Sequence, residues 1–121
     1  MEFAGTGNNG HSVLMDGDGK TGNSPMELVL VALCGCTAFD VVSILGKKRE
    51  PVTRVEVTAE AEKAPESPRV YTEIKLVYRL SGNVSRKAAE DAVRLSEEKY
   101  CSVAAMLKTT GRITYEIRLD S

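Results

Sequence analysis

Residues 24–48 read "SPMELVLVALCGCTAFDVVSILGKK", and the rest of the chain can be placed by asking what this segment must be. Ser24 can cap a helix, Pro25 suits the first helical position, and Glu27, three residues after the cap, completes a capping box. Cations at Lys47, Lys48 and Arg49 suit the negative end of the helix dipole, and Pro51 stops the run. The pattern predicts one helix over about 25–48. Its apolar residues, Leu28 to Leu33 and Val41 to Leu45, cover more than a narrow stripe. One small sheet cannot bury them all, so a second copy of the chain is expected against this helix, as an obligate homodimer.

Downstream the period changes from helical to alternating. In "VTRVEVTAEAEK" Val55, Val57, Ala59 and Ala61 share one face, with Arg54, Glu56, Thr58 and Glu60 on the other. In "RVYTEIKLVYRL" the inward set is Val70, Thr72, Ile74, Leu76 and Tyr78. Both read as half-buried strands, joined by the Pro-containing loop "APESP". A second helix should start after Ser85, with Ala88, Ala89, Ala92, Val93 and Leu95 as its apolar stripe. "GRITYEIRLD" closes the chain as a strand. Upstream, "HSVLMD" is a short strand candidate between glycine-rich turns. The expectation is a single α+β domain over 1–121, with two helices packed on a mostly antiparallel sheet.

Composition narrows the function. Apolar residues make up 42% and charged residues 27% of 121 residues, as in a globular domain. Sixteen basic and seventeen acidic side chains give a net charge of −1 and no basic stripe, so nucleic acid is not an expected partner. The N-terminus lacks the order of a signal peptide, and the longest unbroken apolar run, Leu28 to Cys34, is too short to span a bilayer. A cytoplasmic protein with no membrane partner is expected. Three cysteines, an odd number, suggest reduced thiols rather than a disulfide framework.

Two of the cysteines, Cys34 and Cys36, sit in the predicted helix, about 200° apart around its axis. Their side chains diverge, so neither a mutual disulfide nor a shared metal ion suits them. With His11 as the one histidine, no metal or cofactor site is expected. Cys34 reads as a small buried hydrophobe. Cys36 shares a stripe with Asp40 one turn on, and a carboxylate facing a core needs a polar partner.

"SPMELVLVALCGCTAFDVVSILGKKR", followed by "YCSVAAMLKTTGRITYEI", resembles the OsmC/Ohr family of thiol-dependent peroxide-detoxifying proteins, most closely its YhfA-like branch. Pro25 and Cys36 match the family's helix start and first cysteine, and Cys101-Ser102-Val103-Ala104 matches its second cysteine motif. The resemblance implies an intertwined homodimer built around two central helices. It implies that Cys36 attacks a hydroperoxide and that Cys101 resolves the product as a disulfide. It further implies a dithiol reductant of lipoyl or thioredoxin type. Met26 and Glu27 follow Pro25 where the family has Glu immediately, and Arg49 is the first arginine. Asp40, Glu27 and His11 are therefore the groups of this chain considered for the surroundings of Cys36. The alternative is a noncatalytic small-molecule binding protein on the same scaffold. Proteins of the family it resembles commonly carry another strand before the segment that "EFAGT" begins, and the sequence leaves open whether its start is complete.

Overall fold

A computed structural model describes residues 1–120 and divides the chain into two compact units, Met1–Ala32 and Leu33–Ser121. The first holds the antiparallel hairpin of β1 (Glu2–Thr6) and β2 (Ser12–Asp16), then the opening turns of α1 (Pro25–Lys47). β1 is a strand that periodicity did not single out. Asp16 organises the turn after β2: its carboxylate accepts backbone N–H bonds from Thr21 at 3.0 Å, Asp18 at 3.0 Å and Lys20 at 3.1 Å. Those donors, Thr21 foremost, hold the Asp16 carboxyl well below the usual carboxylate range. The Ser24 cap is present, its hydroxyl accepting the Glu27 N–H at 3.2 Å.

In the second unit β3 (Val52–Lys63) pairs antiparallel with β4 (Tyr71–Gly82), and β5 (Arg112–Asp120) lies on the other side of β4. Between β4 and β5 run α2 (Arg86–Leu95), a π-helical turn (Ser96–Tyr100) and the short α3 (Ser102–Leu107). From Ile74 onward the alternation places side chains as expected, with Ile74, Leu76, Tyr78 and Leu80 of β4 buried and Arg54, Thr58 and Glu60 of β3 exposed. At the start of β4 it is reversed: Thr72 is exposed and Tyr71 buried, where a register shift between Glu62 and Lys63 breaks the period. Each buried Leu or Ile removes enough apolar surface from water to contribute about 1.5–3 kcal/mol. Ser85 caps α2, its Oγ accepting from Ala88 N–H at 3.2 Å, and the buried stripe is Ala88, Ala89, Ala92 and Val93.

The sheet corrects one expectation. β5 pairs with β4 in parallel, from Glu73 opposite Arg112 to Ser81 opposite Asp120. Alternation within a strand fixes which side chains point inward but carries no information on strand direction. Direction follows from the helical crossover, which returns the chain to the end where β4 began. Gly111 marks the arrival: a Cβ there would lie 2.5 Å from the carbonyl oxygen of Tyr71.

α1 departs from expectation in a second way. It is 23 residues long, and its most apolar 18-residue stretch has a mean hydropathy of 2.4, apolar and long enough by composition to cross a bilayer. The unbroken run in the sequence is shorter because Gly35, Thr37 and Asp40 interrupt it. Those interruptions are informative, since Thr37 is fully buried and both polar side chains bond to groups of the second unit. That is how a core helix satisfies its polar residues. Only 28% of the most apolar part of α1 is buried, and Phe39 is 75% exposed.

Candidate functional site

The polar residues of α1 converge with the segment that follows α2. The Sγ atoms of Cys36 and Cys101 and a carboxylate oxygen of Asp40 all lie within 4.8 Å of one another. Cys36 and Asp40 are half-buried and Cys101 is 3% exposed. Cys36 and Asp40 meet because they are four residues apart on one helix. Cys101 reaches them through the π-helical turn, whose closing bond runs from Cys101 N–H to the Ser96 carbonyl at 2.8 Å. It then caps α3, its sulfur accepting the Ala104 N–H at 3.3 Å.

Burial pushes the Cys101 thiol up to about 12, with the neighbouring Cys36 and Asp40 adding to the effect and the Ala104 N–H opposing it. Cys101 is accordingly a neutral thiol near pH 7, able to donate to its neighbours. Cys34, on the other side of the helix, is half-buried, and burial raises its thiol also. It takes no part in the cluster. Two thiols within this reach need only a small approach to form a disulfide, and a carboxylate beside them can accept or return a proton. The same three atoms could approach one ion, but a structural zinc site closes with four ligands.

Behind Asp40 lies a buried chain of hydroxyl groups. Ser96 Oγ donates to Asp40 Oδ2 at 2.9 Å and also contacts Thr37 Oγ1 at 2.9 Å. Thr37 Oγ1 meets Tyr78 OH at 2.6 Å, and Tyr78 OH lies 2.7 Å from Glu97 Oε1. The Tyr78 ring stands edge-on to Tyr115, with centroids 6.1 Å apart. Burial, and then the adjacent Glu97, push the Tyr78 hydroxyl far above its ordinary range, so it keeps its proton. Burial likewise raises the Glu97 carboxyl, against the Tyr78 hydrogen bond and the Lys108 charge. The Lys108 ammonium donates to the Glu97 carbonyl.

Of the residues singled out in sequence, the structure brings Cys36, Asp40 and Cys101 together. Glu27 lies in the first turn of α1 and His11 at the end of the β1–β2 turn, both exposed residues of the first unit. Thr37, Tyr78, Ser96 and Glu97 were missed. A signal for the last two existed: the stripe Ala88, Ala89, Ala92, Val93 continues at helical spacing to Ser96 and Glu97, so two polar residues occupy the inward face.

Comparison with known proteins follows the same lines. The family described as "OsmC-like protein" matches residues 17–116. The protein YhfA of Escherichia coli strain K12 is 47% identical over 117 residues, covering 95% of this chain and 87% of its own. The crystal structure of a hypothetical protein from Aquifex aeolicus VF5 is 33% identical with a TM-score of 0.77, covering 100% of this chain and 97% of that one. The organic hydroperoxide resistance protein OhrB of Bacillus subtilis shares the fold at 18% identity and a TM-score of 0.64, covering 98% and 96%. A match over most of the chain, with high identity to YhfA, places this protein in the OsmC-like family, in the branch that includes YhfA.

Proposed function

We propose that the chain is a thiol-dependent peroxidase-like protein that reduces organic hydroperoxides through Cys36 and Cys101. The observation that carries the reading is the meeting of both sulfurs and the Asp40 carboxylate within 4.8 Å. The Cys36 thiolate attacks the distal peroxide oxygen; the O–O bond breaks, an S–O bond forms, and the alkoxide leaves as alcohol with one proton. Cys101 then attacks the sulfenic sulfur, forming the S–S bond and releasing water that includes the Cys101 proton. A dithiol of lipoyl or thioredoxin type takes up the oxidising equivalents and restores both thiols.

A homodimer over 1–121 as one functional domain, acting in the cytoplasm in oxidative stress defence, is part of the same reading. Support for the dimer comes from the uncovered apolar surface of α1. No observation favours the noncatalytic alternative: a surface cavity of about 490 Å³ lined by Glu60, Glu73, Lys75 and Arg112 has charged walls and includes neither sulfur. The test is steady-state reduction of cumene hydroperoxide and hydrogen peroxide with a dithiol. Wild type should turn over, Cys36→Ser should not, and Cys101→Ser should stop after one equivalent with a trappable sulfenic acid. Equal activity in wild type and Cys36→Ser would refute the assignment.

A further inference from the structure

The buried hydroxyls between Asp40 and Glu97 present a counting problem. Four contacts run in series: Glu97 to Tyr78 at 2.7 Å, Tyr78 to Thr37 at 2.6 Å, Thr37 to Ser96 at 2.9 Å and Ser96 to Asp40 at 2.9 Å. Each needs one proton between its oxygens. Tyr78, Thr37 and Ser96 bring one apiece, which is three for four contacts. With both carboxyl groups ionised, Tyr78 donates to Glu97 and Ser96 to Asp40, and Thr37 cannot supply both contacts left to it. One buried pair of oxygens would then face each other without a hydrogen, which burial penalises.

We propose that this chain holds a fourth proton, stored on Glu97, and that it is a proton path from Glu97 to Asp40 serving the cysteine pair. This rests on the function proposed above. With the proton on Glu97, every link donates in the same direction: Glu97 to Tyr78, Tyr78 to Thr37, Thr37 to Ser96, and Ser96 to the Asp40 carboxylate. If each hydrogen moves one link along, Glu97 becomes a carboxylate and Asp40 a carboxylic acid, with no heavy atom displaced. The groups facing the two ends fit this polarity. Glu97 has Tyr78 of β4 and the Lys108 ammonium beside it, so a negative charge arriving there meets a cation. Asp40 faces Cys36 and Cys101, where the proton is consumed. Burial favours the protonated form of Glu97, consistent with its being the resting store.

The proton balance closes over a cycle. When the Cys36 thiolate takes an oxygen atom from the hydroperoxide, the proton stored on Glu97 passes through the hydroxyls to Asp40, and Asp40 hands that one proton to the departing alkoxide, leaving both carboxyl groups ionised. Disulfide formation consumes the Cys101 proton as water leaves. After the dithiol reduces the disulfide, Cys36 returns as a thiol, and its proton passes through Asp40 back to Glu97, regenerating the thiolate. Glu97 touches no substrate and acts through Asp40 as a positioning and supplying residue.

Glu97→Gln separates structure from transfer, because the amide N–H can donate to Tyr78 and complete all four contacts while offering no transferable proton. Infrared spectra of the reduced protein at neutral pH should show the carbonyl stretch of a buried carboxylic acid in wild type, absent in Glu97→Gln. Single-turnover oxidation of Cys36 by cumene hydroperoxide should slow by roughly 10²-fold in Glu97→Gln. The wild-type-to-variant ratio should widen as pH rises, since the variant must draw its proton from solvent. Thr37→Val, which cuts the path in the middle, should share that pH profile. A wild-type spectrum without the acid band overturns the stored proton, and wild-type rates with an unaltered pH profile in Glu97→Gln overturn the path. If wild type reduces no hydroperoxide, the proposed function fails while the infrared result still decides whether the fourth proton is held.

Discussion

Cys101 offers a quantitative test of how burial competes with a helix-capping hydrogen bond. Its sulfur accepts the Ala104 N–H at 3.3 Å, an arrangement that by itself favours a thiolate, yet burial moves its ionisation from the ordinary 9.0 to about 12. Below pH 9 the folded chain should therefore hold about 10³-fold less Cys101 thiolate than the unfolded chain. The assay is pulsed alkylation with iodoacetamide, folded and in denaturant, with each cysteine followed by mass spectrometry of its peptide. In denaturant the Cys101 rate should level off above pH 9. In the folded protein it should keep climbing about tenfold per pH unit toward pH 12, a dependence that steric protection alone does not produce. The sign of the linkage follows: a raised thiol pKa adds stability that is fully present below pH 9 and is lost as pH rises to 12. The slope is up to about 1.4 kcal/mol per pH unit. A folded-state rate that levels off near pH 9 would refute the dominance of burial.

Two further predictions concern residues of α1. Asp40→Asn keeps an oxygen to accept the Ser96 hydroxyl but removes the negative charge beside the sulfurs. Alkylation of Cys36 near neutral pH should then speed up several-fold, on the order of 1 kcal/mol of relieved repulsion, and an unchanged rate would remove Asp40 from the site. Sedimentation at micromolar concentration should find a dimer, because Val31, Phe39 and Val42 leave α1 with uncovered apolar surface. A stable monomer would contradict that reading.

Local signals carried far in this chain because several of its elements have sharp punctuation. Ser24 and Pro25 mark the start of α1, Ser85 that of α2, and the alternation through Tyr78 identifies the inward face of β4. What local pattern does not encode is direction and depth. The parallel placement of β5 depends on the whole crossover between β4 and β5, and no property of "RITYEIRLD" differs between parallel and antiparallel pairing. The site divided in the same way. Cys36 and Asp40 were legible as helical neighbours, and Cys101 entered through a family motif. Glu97 was hidden because an acidic pair in "SEEKY" reads as solvent-facing unless the alanine stripe before it is extended past Leu95.

The π-helical turn at Ser96–Tyr100 also constrains how this segment can vary over time. Its bond from Cys101 to Ser96 spans one residue more than an α-helical bond would. Glu98, Lys99 and Tyr100 are exposed, so their identities can drift with little cost to packing. Their number cannot drift in the same way. Losing any one of them would draw Cys101 back about 1.5 Å along the axis and about 100° around it, away from Cys36. The segment is thus permissive to substitution and intolerant of deletion, a length ruler whose letters matter less than its count.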